Sequence, residues 1–229
     1  MKKVTAIICA FNEEKTIEFV IRSASANYLI DELIVVNDGS TDNTGKIIER
    51  LKGDISITDI HFTENKGKGY AMATGVEKAI NEAIVFIDAD LSELNQDHYY
   101  QLLIPIMEDK ADMVLGQATE TLINYSVNPF KSLSGQRALW KKDILPIVGK
   151  MKHSRFGVET LINLFYQSQG KTVNYVMLKG LKHPTKFDKT SSTKAVKEFV
   201  YEGQEIALTA IKNYDLIIKS VKQIILGNI

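Results

Sequence analysis

Residues 83–91 read AIVFIDADL. Ala83 to Ile87 carry no charge and are mainly β-branched or aromatic, the length and type of a strand buried on both faces. Asp88 and Asp90 follow where that strand would leave a sheet. In open α/β sheets ligands bind outside the carboxyl ends of the strands, and paired carboxylates on a short turn offer oxygen to a hard divalent cation. Taken alone, the triplet also fits a capped turn, because aspartate is a common cap residue. The segments on either side decide between the two.

Val4 to Cys9 reads as a first strand, followed by Asn12 as the cap of a helix with glutamates in its first turn. DELIVV, residues 31–36, reads as a second strand. It runs into NDGSTDNTGKIIERL, a turn rich in Asn, Asp, Gly and Ser before helical spacing, with Asp42 and Asn43 as caps. Ile55 to Phe62 predicts a third strand, and NKGKGYAMATGVEKAI a glycine- and lysine-bearing loop that feeds a helix. Strands and helices thus alternate up to AIVFIDADL, which predicts an α/β fold with a mostly parallel sheet and right-handed crossovers. Parallel topology carries three strand ends to one rim: Ala10-Phe11-Asn12-Glu13, Asp38-Gly39-Ser40 and Asp88-Ala89-Asp90. Lys66 and Lys68 add positive charge there, and Gly67 and Gly69 let the backbone approach a phosphate closely. These are the parts of a nucleotide site.

Downstream, HYYQLLIPIM predicts a helix bent near Pro105, and ADMVLGQAT a strand. Residues 120–134 are irregular and polar and read as a loop over the site. SGQRALWKKDILPIV resumes helical spacing, RFGVETLINLFYQSQG a loop into a helix closed by Gly170, and TVNYVML a further strand. KGLKHPTKFDKTSSTK is a basic loop without apolar periodicity. From Ala195 to Ile225 apolar residues recur at three- and four-residue gaps, predicting an amphipathic helix or helix pair with a break at Gly203. The expected organisation is one α/β domain over residues 1–190 and a helical appendage over 191–229. That appendage holds five lysines against four acids, too balanced for strong attraction to anionic lipid. Packing on the domain or on a second subunit, as a homodimer through these helices, is therefore expected ahead of peripheral membrane contact.

The 28 basic residues balance 28 acidic ones, which argues against a nucleic-acid partner. A single cysteine, Cys9, excludes an intrachain disulfide. MKKVTAIICAFNEE shows no small-residue cleavage site, and no apolar run is long enough to span a bilayer. A cytoplasmic protein is expected, free or at the inner face of the membrane.

FNEEKTI, VVNDGSTDNT, NKGKGYAMATG and FIDADL, in this order and spacing, resemble the nucleotide-sugar glycosyltransferases of the GT-A fold, family 2, over the first ninety residues. The resemblance implies a Rossmann-like GT-A fold and a UDP- or GDP-type nucleotide-sugar donor. It also implies Mg2+ or Mn2+, and transfer of one sugar to a hydroxyl or phosphate of a small molecule or lipid phosphate. The implied donor set is Ala10, Phe11, Asn12, Glu13, Asp38, Lys68, Asp88 and Ala89. Within it Phe11, Glu13 and Asp38 would meet the nucleoside, Lys68 the base or phosphate, and Asp88 the ribose or metal. Asp90 is the implied metal ligand.

LSGQRALWKKDIL and RFGVETLINLFYQSQG are similar, more loosely, to acceptor-side segments of polyprenyl-phosphate glycosyltransferases and glucosyl-phosphoglycerate synthases. By that likeness Glu159, in Gly157-Val158-Glu159, is the base or acceptor anchor and His183 the third metal ligand. The Glu-Asp pair usual in inverting relatives is absent, because Thr160 follows Glu159. Arg137 is assigned to an acceptor phosphate or the diphosphate, with an exposed place on a helix as the alternative. Lys182, in the basic loop, would face an anionic acceptor. A sugar-phosphate nucleotidyltransferase shares the fold, but AFNEE stands where such enzymes carry a glycine-rich Arg-Lys loop. A non-catalytic nucleotide-sugar-binding protein would keep the donor site and lack the base.

Overall fold

The computed structural model describes residues 2–118, 135–181 and 203–225. Seven strands form one sheet: β1 (Val4–Ala10), β2 (Glu32–Asn37), β3 (Thr58–His61), β4 (Ala83–Asp88), β5 (Met113–Ala118), β6 (Arg137–Trp140) and β7 (Val173–Leu178). Their order across the sheet is β3-β2-β1-β4-β6-β5-β7. All pairings are parallel except those of β6, which runs antiparallel between β4 and β5. The expected α/β class with a mostly parallel sheet is therefore what forms.

The central strands explain the burial. Ile7, Ile34 and Ile84 face one layer of the core, while Ile8, Val35 and Val85 face the other, and all are inaccessible to solvent. Period-two alternation with both faces apolar is the signature of a sheet covered on both sides by helices. One cover contains α1 (Ile17–Ser25), α2 (Thr44–Leu51) and α4 (Gln96–Met107), which supply Val20, Ile48 and Leu102. The other contains α3 (Lys68–Lys78) and α7 (Val158–Ser168), which supply Met72 and Leu161. Two single-turn helices, α5 (Lys141–Ile144) and α6 (Val148–Met151), complete that second cover.

The sequence reading differs from the structure in four places. Asn12 does not cap α1, which begins only at Ile17; it takes φ +57° and binds the loop after β2 instead. Asp42, rather than Asn43, satisfies the first turn of α2, accepting from Thr44 N at 2.9 Å. The segment read as a helix over SGQRALWKKDILPIV opens with β6, because RALW finds pairing partners on β4 and β5 far away in sequence. In the tail the chain turns at Asn213, between helical residues 203–212 and α8 (Tyr214–Ile225), a break the apolar spacing does not announce; the residues before Gly203, where a break is expected, lie outside the described residues. Leu216 of α8 joins the α7-side core, and Ser220 Oγ donates to Leu164 O at 3.4 Å. Residues 120–134, expected to form a loop over the site, lie outside the described residues.

Close packing of α3 on β1 fixes where Lys68 emerges. It depends on Gly75, where a Cβ would come within 2.5 Å of Ile7 Cγ2. Ile7 is fully buried on a central strand and, being β-branched, has little rotamer freedom. Helix propensity alone predicts that Gly75→Ala gains about 1 kcal/mol. Overpacking costs about 1–3 kcal/mol. The expected outcome is net destabilisation, seen as a lower urea midpoint with an unchanged m-value.

Candidate active site

The ends of β1, β2 and β4 and the start of α3 meet at one rim. Two loops there are laced together. Asn12 N donates to Ser40 Oγ at 3.0 Å, Thr41 N to Asn12 Oδ1 at 2.8 Å, and Glu13 N to Thr44 Oγ1 at 2.8 Å. Asn12 thus binds the β1 loop to the β2 loop, and Ala10 beside it is buried. Phe11, at 44 % exposure, stands out from this clasp with its ring available to a planar ligand.

Asp38 is 3 % exposed and accepts two main-chain N–H groups, Lys66 at 2.7 Å and Gly67 at 2.9 Å. Burial pushes its pKa up from the usual carboxylate range, against the pull of those N–H groups and of the Arg155 and Lys66 charges. Gly39 takes φ +71°, and a Cβ there would overlap the Glu64 carbonyl carbon at 2.3 Å. Only glycine lets the two loops close on each other. Lys66 turns its ammonium over the Phe62 and Tyr70 rings, at 5.1 and 4.8 Å. Gly67 and Gly69 face Arg155 and the Met151 carbonyl, so both glycines seat α3 against the 151–155 segment of the chain itself.

Lys68 is the centre of the charge arrangement. Its Nζ lies 2.7 Å from Asp88 Oδ1 and 2.6 Å from Glu159 Oε1. Burial alone would lower its pKa; the Asp88 and Glu159 charges reverse this and hold it above the ordinary lysine range. The other Asp88 oxygen accepts from Gln136 Nε2 at 2.8 Å. The main chain of Gly135 lies so close that a Cβ there would sit 2.2 Å from both carboxylate oxygens. Ala89 is buried, and Asp90 follows at intermediate exposure on the turn. Two carboxylates two residues apart, with the Gly135 main chain against the first of them, make a donor set of the kind that suits a hard divalent cation.

Glu159 stands in the first turn of α7, 8 % exposed. Arg137 lies behind it, fully buried on β6 rather than exposed on a helix. Its Nη1 donates to Glu159 O at 3.4 Å and Asn163 Oδ1 at 3.2 Å. Burial lowers the Arg137 pKa against the charges of Glu159 and Asp88, and an arginine remains protonated regardless. The structure thus brings Asp88, Lys68, Glu159 and Arg137 together. Lys182 and His183 lie outside the described residues.

Three contributors have no individual signal in the sequence. Gln136 and Asn163 orient Asp88 and Arg137 through side-chain contacts. Arg155, at φ +43°, packs its side chain against Gly67 and places charge near Asp38.

A second cluster, Glu49, Asp59 and His61, lies at the β3 edge. Asn37 Oδ1 accepts from Ser40 N, which turns its Nδ2 toward His61 Nδ1 at 3.0 Å. With Nδ1 accepting, the proton sits on Nε2, which points at Asp59 and Glu49, and Lys52 Nζ already holds Asp59 at 2.8 Å. The grouping is an ion-pair cluster rather than a ligand set.

Residues 5–171 match the model of glycosyl transferase family 2. The chain belongs to that family. Among curated relatives, this family 2 chain is 32 % identical over 120 residues to poly-β-1,6-N-acetyl-D-glucosamine synthase of Staphylococcus aureus, covering 52 % of the chain and 28 % of the relative. It is 30 % identical over 154 residues to UDP-N-acetylglucosamine–dolichyl-phosphate N-acetylglucosaminyltransferase of Methanococcus voltae, 60 % of the chain and 61 % of the relative. The chain therefore spans just over a quarter of the first relative and about three fifths of the second. Among solved structures, glucosyl-3-phosphoglycerate synthase of Mycobacterium tuberculosis, in complex with Mg2+ and UDP, superposes with a TM-score of 0.73. Identity is 20 %, over 92 % of this chain and 79 % of that one. The same synthase in complex with Mn2+, UDP-glucose and phosphoglyceric acid gives 0.71 at 21 % identity, with the same coverage. The likeness establishes the GT-A fold.

Cys9, on β1 opposite Asp88, tests the electrostatics of the rim independently of any ligand. Burial drives its thiol pKa to about 12, with Lys68 opposing and Asp38 and Asp88 adding. Native Cys9 should therefore react with iodoacetamide at pH 8 slower than the urea-unfolded chain by a factor on the order of a thousand. Mass spectrometry of timed samples measures it.

Proposed function

We propose that this family 2 chain is a metal-dependent glycosyltransferase that takes a sugar from a UDP-linked donor and passes it to a hydroxyl or phosphate acceptor. The observation that carries this is the meeting of Asp38, the Asp88–Asp90 turn, Lys68 and Glu159 at one sheet rim. Two relatives named for N-acetylglucosamine transfer or polymerisation make UDP-N-acetylglucosamine the first donor to test, and the dolichyl-phosphate relative makes a lipid phosphate the first acceptor. The solved neighbours, with UDP, Mg2+ or Mn2+ and phosphoglycerate, support the same donor class and a phosphate-bearing acceptor.

In this reading Asp38 and Phe11 bind the nucleoside: Asp38 accepts hydrogen bonds at its edge while Phe11 offers a ring face. Glu13 and the buried Ala10 and Ala89 shape that pocket. Asp88 and Asp90 would hold a divalent ion, whose charge would offset that developing on the departing diphosphate. Lys182 and His183 are assigned, from the sequence alone, to the acceptor and the ion. Arg137 is too deeply buried to reach an acceptor directly; it supports the Glu159 main chain and adds positive potential under the site. Glu159 takes the acceptor hydroxyl proton or anchors the acceptor, and a phosphate acceptor would need no base.

The C-terminal helices carry an apolar stripe, including Ile211, Tyr214, Ile218, Val221 and Ile225, that remains exposed after α8 packs on α7. No helix among the described residues is long and apolar enough to cross a membrane. This stripe is the surface through which peripheral contact with a lipid acceptor's membrane, or pairing with a second copy, would occur.

Asp90→Ala should abolish Mn2+-dependent release of UDP from UDP-N-acetylglucosamine with dolichyl phosphate as acceptor, while leaving the circular dichroism melt unchanged. Wild-type rates in the variant would refute the metal assignment.

A further inference from the structure

Lys68 has two partners where an ordinary phosphate-binding lysine would have one or none. Its ammonium bridges a carboxylate of the β4 turn and one of α7, residues 20 and 91 positions away in sequence. About a quarter of its side chain, 26 %, remains accessible, so the residue lies at the rim and not in the sealed core. Asp88 has both oxygens engaged, one by Lys68 and one by Gln136. Each oxygen keeps a second lone pair, but a divalent cation bound there would share that oxygen with Lys68 or Gln136.

An ammonium and a divalent cation repel when they share one carboxylate, so the contact with Lys68 competes directly with metal at Asp88. Arg137 cannot take over the balancing role, because it is fully buried behind Glu159. Lysine, by contrast, carries a compact charge on a flexible stem and can change partner without moving the backbone. A nucleotide diphosphate arriving at the rim offers it a new anion.

Resting on the donor-site reading above, we propose that Lys68 is an internal counter-ion that competes with divalent metal for Asp88 and passes to the diphosphate when nucleotide binds, making metal and nucleotide binding cooperative. Part of any such cooperativity comes from direct contact between ion and diphosphate; the part due to Lys68 has a different signature. Removing the ammonium should tighten metal binding in the absence of nucleotide and shrink the further gain that nucleotide brings. A lysine serving only as a phosphate anchor would leave the first quantity unchanged.

The test is a titration of free Mn2+ by electron paramagnetic resonance, with and without UDP, on the wild-type chain and on Lys68→Gln, Lys68→Met and Lys68→Arg. Lys68→Gln keeps a hydrogen-bond donor for the two carboxylates and guards against a folding defect in Lys68→Met; melting curves confirm both. The expected result is that Lys68→Gln and Lys68→Met bind Mn2+ alone about fivefold or more tightly than wild type, with a smaller enhancement by UDP, while Lys68→Arg stays near wild type. Unchanged or weaker binding of Mn2+ alone by both neutral variants overturns the counter-ion role and leaves the donor site standing. Failure of the wild-type chain to bind Mn2+ and UDP at all overturns the donor-site reading and this inference with it.

Discussion

One ammonium group holds the two halves of the site together. Lys68 Nζ reaches Asp88 at the end of β4 and Glu159 at the start of α7, so the carboxylate assigned to the metal and the carboxylate assigned to the acceptor share one charge. The backbone position from which it reaches them is set by packing. Gly75 lets α3 lie against Ile7, and Gly69 lets the first turn of that helix meet the Met151 carbonyl. Those contacts fix the axis of α3 and therefore the point at which Lys68 leaves it.

The parallel sheet supplies the rest of the constraint. Parallel strands end on the same side, so the loops after β1, β2 and β4 are neighbours whatever their sequences. The chain uses this by tying the first two loops through Asn12 and caging Asp38 with the Lys66 and Gly67 N–H groups. The result is a rim in which backbone geometry, more than side-chain reach, sets the distances. At the opposite end of the sheet a cleft of about 550 Å3, lined by Lys2, Glu82, Asp109, Trp140 and Lys142 among others, has no comparable arrangement. There Lys2 is held by Asp109 at 2.6 Å and by the Trp140 ring.

Much of this could be read from the sequence because the signals were local. AIVFIDADL and DELIVV encode strands by uninterrupted β-branched runs, and NDGSTD encodes its turn by residue type. Alternation of strands and helices then predicts a mostly parallel sheet with right-handed crossovers. What escaped was non-local. RALW has helical spacing in isolation, and only pairing with β4 and β5 makes it a strand, which in turn buries Arg137. Asn12 looks like a cap because caps and loop clasps draw on the same side-chain chemistry. The partners of Lys68 and Asp88 lie 91 and 48 residues away and carry no periodic signature. Gly67 and Gly69 were legible as sites of close approach, but the group that approaches is the chain's own 151–155 segment.

The central claim is that the rim of β1, β2 and β4 receives the nucleotide and its metal. A crystal structure of the chain soaked with UDP and Mn2+ tests it most directly. The account predicts uracil density beside Asp38 and Phe11, with an anomalous manganese peak within coordination distance of Asp88 or Asp90. Nucleotide density in the Lys2–Trp140 cleft, with the rim carrying neither uracil nor metal, would contradict it.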